Sequence, residues 1–420
     1  MYKEITKCRI CGNTELLPIL NLGRQALTGI FPKDKTQEIT EGPLELVKCN
    51  DENNANCGLV QLKHSYSLPE LYGDNYGYRS GLNKSMIKHL HNKVREITKL
   101  VELSSGDLVI DIGSNDSTLL QAYPDNKGLI LAGVDPTGIK FREYYPAHIH
   151  LISEFFSAKV IRNKFGRKKA KIITSIAMFY DLDSPVDFMR EIYDILDEKG
   201  VWVFEQSYLP SMLEVNAYDT VCHEHLEYYA FKQIKWMAEK VGFEILDVKI
   251  NAVNGGSFSV AVAKRNSAYR PNRAFIDTLL TEEKKKGFNT SAPYKDFCRS
   301  VFKHRDELSA FLEEMKNKGK MILGYGASTK GNVILQFCQI KADSLPFIAE
   351  VNKDKFGAFT PGTLIPIVSE EEARKMNPDY FMVLPWHFKE GIIKKERGYL
   401  DSGGKLFFPL PALEVFEEGG

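Results

Sequence analysis

An excess of charge of either sign is missing from this chain. Lysine plus arginine and aspartate plus glutamate each number 55 in 420 residues, so no net field draws in a polyanion. No block dense in lysine and arginine marks a nucleic acid polymer or an anionic bilayer as a partner. No uninterrupted apolar run approaches a membrane span, and the first residues, Met1-Tyr-Lys-Glu-Ile-Thr-Lys-Cys8, lack the apolar core of a signal peptide. A soluble, cytoplasmic protein with a small-molecule substrate is expected. A secreted disulfide framework is missing too, since Cys222, Cys298 and Cys338 lie widely scattered among the seven cysteines. The length exceeds one ordinary core, so two or three domains are expected.

The other four cysteines are grouped. Cys8 and Cys11 form C-x-x-C, and Cys49 and Cys57 form a wider C-x7-C pair. Four thiolates suit a tetrahedral zinc that stabilises a small module lacking a core of its own. Residues 50–56 must then loop out. The alternative is a redox C-x-x-C plus two buried cysteines, but no βαβ pattern surrounds Cys8 and Cys11.

Beyond a glycine- and tyrosine-rich stretch, 71–81, Met86, Leu90, Val94, Ile97 and Val101 recur at helical spacing and Gly106 ends the run. Strands and helices then alternate. Leu108 to Ile112 is a continuous apolar strand, followed by the turn Gly113-Ser114-Asn115-Asp116, and a second strand ends at Asp135. A glycine after the first strand admits a ligand close to the backbone, and an acid after the second can accept from a ribose diol. The turn has no G-x-G-x-x-G to cradle a pyrophosphate. A nucleoside pocket for S-adenosylmethionine is therefore predicted, lined by Asp111, Gly113, Ser114, Asn115, Asp116 and Asp135, with Phe155 placed after the third strand to cover the adenine.

Strands at 171–176 and 201–205, a helix at 231–241 and an antiparallel hairpin at 243–250 and 257–263 complete the order of a Rossmann-like methyltransferase sheet. Residues 206–230 are then an insertion above the donor, a substrate lid. Its centre, Tyr218 to Tyr229, holds His223, Glu224 and His225 in succession, and buried polar groups at such density need partners. Helices at 270–287 and 294–319 lead to a last α/β unit that opens with Met321 to Gly331. There Ser328 and Lys330 stand at a helix start suited to phosphate. The expected division is a zinc module at 1–75, a methyltransferase domain at 76–265, and a helical linker with a C-terminal Rossmann-like domain at 266–420.

Taken together, Cys8-x-x-Cys11, Cys57-Gly-Leu-Val-Gln61, Tyr76-Gly-Tyr78-x-Ser-Gly81, Ser114-Asn-Asp116, Tyr218-Asp-Thr220, His223-Glu-His-Leu226, Asn254-Gly-Gly-Ser257, Gly324-Tyr-Gly-Ala-Ser328 and Pro361-Gly-Thr363 resemble the zinc-containing sugar C-methyltransferases. That family adds a branch methyl to C3 of nucleotide-linked 4-keto deoxysugars. The resemblance implies structural zinc on Cys8, Cys11, Cys49 and Cys57, S-adenosylmethionine as donor, and a sugar nucleotide held by Tyr78, Asn254, Ser328 and Lys330. It also implies His225 as the base that forms an enolate, Glu224 as a substrate ligand, and Tyr76 and His223 beside the enolate oxygen. Two positions depart from the family: Cys222, where relatives often have tyrosine, and Phe179-Tyr-Asp181, where many have a histidine. They bear on which sugar is used. The competing readings are an O- or N-methyltransferase, a nicotinamide-dependent enzyme with Glu350 on a ribose, and a non-catalytic sugar-nucleotide binder.

Overall fold

The computed structural model describes residues 2–52, 56–72 and 77–418. Its centre is a seven-stranded sheet, in which Ile149–Ile152, Ile130–Val134, Leu108–Ile112, Ala170–Ile176 and Leu196–Ser207 lie side by side in parallel. Ser257–Lys264 pairs antiparallel with Leu196–Ser207, and Phe243–Asn251 closes that edge. This is the expected methyltransferase order. Every residue of Leu108–Ile112 is buried, as a strand covered on both faces requires.

The two faces are covered by different side chains. Met86, Leu90, Val94 and Ile97 of the helix Lys84–Leu100 meet Val109, Ile172, Val201 and Val203 on one face. Trp202, Phe204, Phe179 and Phe231 fill the other. Asn83 caps the Lys84–Leu100 helix by accepting from Ser85 N and Met86 N, which fixes where it starts.

The zinc module carries strands that its cysteine spacing did not reveal. Leu16–Ala26, Glu41–Cys49 and Val60–Leu62 form an antiparallel sheet whose fourth strand, Glu227–Tyr228, comes from the lid. Segment 206–230, the expected lid, is thus pinned at one end. Between Ser207 and that strand it forms the helix Leu209–Glu214 and a short turn of helix at Tyr218–Thr220.

Helices Arg273–Lys285 and Ala292–Asn317 lead to a six-stranded sheet. There Ile367–Ser369, Ile348–Glu350, Ile322–Tyr325, Tyr380–Val383 and Lys405–Phe408 run parallel, and Glu414–Phe416 is antiparallel at the edge. Among the described residues no helix is long and apolar enough to cross a membrane.

Candidate active site

The strand Leu108–Ile112 ends in a turn suited to glycine. Gly113 has φ +73°, and a Cβ there would stand 3.1 Å from Met178 Cγ. Asp135 is buried and accepts from Asn115 N at 2.8 Å, Thr137 N at 2.7 Å and Thr137 Oγ1 at 2.6 Å. A carboxylate has about four acceptor directions, so one remains for a ribose hydroxyl. That remaining lone pair, the bare backbone at Gly113 and a 46% exposed Phe155 fit an adenosyl group. Asp111 points into the sheet, accepting from Thr174 Oγ1 at 2.6 Å, and burial pushes its carboxyl up to about 7.

The side chains of Ser114, Asn115 and Asp116 bind protein. Ser114 Oγ meets the Tyr145 hydroxyl at 2.9 Å. Asn115 Oδ1 accepts from Ser80 N at 2.9 Å while its Nδ2 donates to Tyr78 O at 3.1 Å, and Asp116 Oδ2 accepts from Gly81 N at 2.8 Å. The run clasps segment 78–81, in which Tyr78 is half-exposed. Tyr76 lies outside the described residues. We expect Asp135→Ala to weaken S-adenosylmethionine binding about ten- to a hundredfold by calorimetry, because hydrogen bonds to a charged group contribute about 1.5–3 kcal/mol each.

Cys8, Cys11, Cys49 and Cys57 bring their sulfurs within 4.8 Å of one another. Pairs stand 3.4 Å (Cys8–Cys57), 3.4 Å (Cys57–Cys11) and 3.5 Å (Cys11–Cys49) apart. Four sulfurs at about 2.3 Å from one zinc would be spaced similarly. The Cys11, Cys49 and Cys8 sulfurs, followed by burial, push the Cys57 thiol far up, the mark of a cluster that needs a cation to ionise. Cys57 stands with the other three sulfurs as the fourth candidate ligand.

In the lid the two histidines part company. His223 is wholly buried beside the zinc module, its ring 4.6 Å from that of Tyr66, and burial pushes it down to about 4. His225 packs its ring 4.4 Å from that of Tyr180, just past the strand Ala170–Ile176, and its Nδ1 lies 2.8 Å from Thr220 O. A carbonyl only accepts, so Nδ1 carries the proton and Nε2 keeps its lone pair. Burial, then the Lys330 charge, push His225 down to about 3.

Glu224 reaches from segment 206–230 to the N-terminal module. Its Oε2 accepts from Thr28 Oγ1 at 3.3 Å. A Cβ on Gly29 would stand 2.4 Å from Glu224 Oε1 and 3.8 Å from Thr329 Oγ1. Burial raises the Glu224 and Asp181 carboxyls, and Asp181 accepts from the Tyr72 hydroxyl at 2.8 Å. Ser328 Oγ caps its own helix by accepting from Gly331 N at 3.0 Å, while Lys330 Nζ donates to Asn254 O at 3.1 Å.

Trp386 and His387 were not singled out from the sequence, and Asp219 entered only within the Tyr218-Asp-Thr220 motif, without a role of its own. Trp386 Nε1 donates to the buried Asp219 Oδ2 at 2.8 Å, tying lid to C-terminal unit. The adjacent His387 is pushed down to about 3 by burial and then by Lys330. Leu384-Pro-Trp-His387 follows the strand Tyr380–Val383, and the carboxyl end of a parallel strand was the available signal.

These histidines give a pH dependence of definite sign. The unfolded chain takes up protons near pH 6.5 that the folded lid refuses, so their contribution to stability is complete above about 6.5 and declines as pH falls. Nitrogen-15 NMR is expected to show His225 neutral down to pH 5; a midpoint near 6.5 would contradict its burial.

Three family models match the chain in succession: a zinc binding domain at residues 8–72, a methyltransferase domain at 86–248 and a C-methyltransferase C-terminal domain at 252–411. The chain is similar to the C-methyltransferase NovU of Streptomyces niveus, with 28% identity over 99% of this chain and 98% of that protein. Solved structures with local likeness include the CcbJ methyltransferase from Streptomyces caelestis (14% identity, 42% of this chain, 89% of that one, TM-score 0.34). Another is the mitomycin 7-O-methyltransferase MmcR (13% identity, 44% of this chain, 55% of that one, TM-score 0.34).

Proposed function

We propose that this chain, which three methyltransferase-family models match in succession and which is similar to a C-methyltransferase over its whole length, uses S-adenosylmethionine to methylate C3 of a nucleotide-linked 4-keto deoxysugar through an enolate formed by His225. The observation that carries this reading is the His225 tautomer. With Nδ1–H given to Thr220 O, Nε2 presents a lone pair from a neutral ring, as abstraction of a proton beside a ketone requires. S-adenosylmethionine, when bound, supplies the electrophilic methyl at its sulfonium.

The other side chains bind and orient. Lys330 offers a cation to the diphosphate, and a phosphate there would offset the charge that depresses His225, raising its basicity as substrate arrives. Burial raises the Glu224 carboxyl, and its oxygens are offered to a sugar hydroxyl. In this reading Tyr78 and Asn254 contact the sugar nucleotide. Cys222 and Asp181 stand close enough to each other and to Glu224 to interact electrostatically, and bear on which sugar is accepted. The division at residues 75 and 265 belongs to the same reading.

The test is mass spectrometry of reactions with S-adenosylmethionine and a panel of 4-keto-6-deoxy sugar nucleotides, with His225→Ala as control. A gain of one methyl that the control lacks is expected. Donor binding without methyl transfer to any panel member would refute the assignment of substrate.

A further inference from the structure

Glu205 is a buried acid outside the reaction described above. It is 2% exposed at the end of the strand Leu196–Ser207. Its Oε1 meets His89 Nε2 at 2.5 Å, its Oε2 lies 2.8 Å from Lys93 Nζ, and both partners lie on the helix Lys84–Leu100. Burial pushes this carboxyl up, but His89 and Lys93 outweigh it and hold it below the usual range. A buried carboxylate so paired is fixed in place and can fix others.

What it fixes is the turn after the strand Phe243–Asn251. Asn251 Nδ2 donates to Glu205 Oε2 at 3.0 Å, while Asn251 Oδ1 accepts from Val253 N at 2.9 Å. Ser257 Oγ donates to Val253 O at 2.9 Å. The next residue, Asn254, has φ +55° and presents its carbonyl to Lys330 Nζ at 3.1 Å. Cβ atoms added to the two glycines that follow would meet Trp386 Cη2 at 3.1 Å (Gly255) and Ser211 Cβ at 2.5 Å (Gly256), so the turn is wedged between the C-terminal unit and the lid helix.

We propose that Glu205, braced by His89 and Lys93, is a positioning residue that acts through Asn251 and the Asn251–Gly256 turn to set the place of the Lys330 ammonium in the substrate cleft. This rests on the reading of Lys330 as a substrate ligand. Asn251 is half-buried and pairs with Ser257 through its backbone, which alanine keeps, so its variant separates positioning from folding.

The test uses the full-length, zinc-loaded protein, dTDP-4-keto-6-deoxyglucose as probe and saturating S-adenosylmethionine. Asn251→Ala is expected to raise the KM for the probe about tenfold, with kcat and the Kd for S-adenosylhomocysteine within about twofold. Glu205→Gln keeps an acceptor for Asn251 but weakens the bracing, and is expected to raise KM about threefold. In a Lys330→Met background Asn251→Ala should add nothing, because both changes remove the same contact. Full additivity, or equal damage to donor affinity, would overturn the proposal and leave Asn251 a structural residue. An unchanged KM in Glu205→Gln would remove Glu205 from the chain of contacts. If Lys330→Met itself leaves KM unchanged, or the unmodified protein fails to turn the probe over, the reading of the site falls and this proposal with it.

Discussion

Replacing His225 with alanine is expected to lower kcat about a thousandfold, within the range of about 10²–10⁴ for loss of a positioned general base, while donor affinity stays within about twofold. The ring's Nδ1–H is held by Thr220 O and the ring packs edgewise with Tyr180, so it offers one nitrogen in one orientation. Its loss removes the base without disturbing the Gly113 turn or Asp135. Solvent deuterium exchange at the carbon beside the ketone, measured without donor, should fall in parallel. His223→Ala makes the contrast, because that ring is buried against Tyr66 and its removal leaves a cavity at the zinc module. There we expect a loss of stability of about 1–3 kcal/mol with a smaller effect on kcat. Equal kinetic effects from the two variants would contradict the roles given to them.

Removing the zinc is expected to abolish methyl transfer and spare donor binding. Structural zinc contributes about 10–16 kcal/mol in small modules, comparable with or above the whole stability of a domain. Without the ion the four sulfurs lose their common partner. The consequence reaches the lid because Gln61 pairs with Glu227, Val60 with Tyr228, and Leu62 N donates to Leu226 O at 2.8 Å, all within a few residues of Cys57 and His225. Gln233 Nε2 also donates to Cys57 O at 2.9 Å. Chelation, or Cys49→Ser, should therefore release His225 from its place while the sheet beneath holds. Activity assays beside calorimetry with S-adenosylhomocysteine check this: retained methyl transfer in zinc-free protein would refute the link between knuckle and lid.

Much of the central unit was legible because its strands, buried on both faces, read as unbroken apolar runs such as Leu108–Ile112, and because a six-residue turn at 251–256 allowed only an antiparallel pair. The zinc ligands were legible from thiol chemistry. The pairing of Glu227–Tyr228 with Val60–Leu62 was not, since two residues carry no period and their partner lies far away in sequence. Asn115 and Asp116 look like ligand contacts in the sequence, yet their side chains hold segment 78–81, a use that only proximity reveals. His387 and the Asp219–Trp386 bond were hidden for the same reason, the partners of that bond lying 167 positions apart in sequence.

The central claim is that carbon receives the methyl. The most direct measurement is NMR of the product made with S-adenosylmethionine carrying a carbon-13 methyl. A labelled methyl coupled to a sugar carbon, at the position beside the ketone, is the expected result. A label on oxygen or nitrogen, with the sugar's carbon skeleton unchanged, would contradict the enolate and make His225 the base for a heteroatom instead.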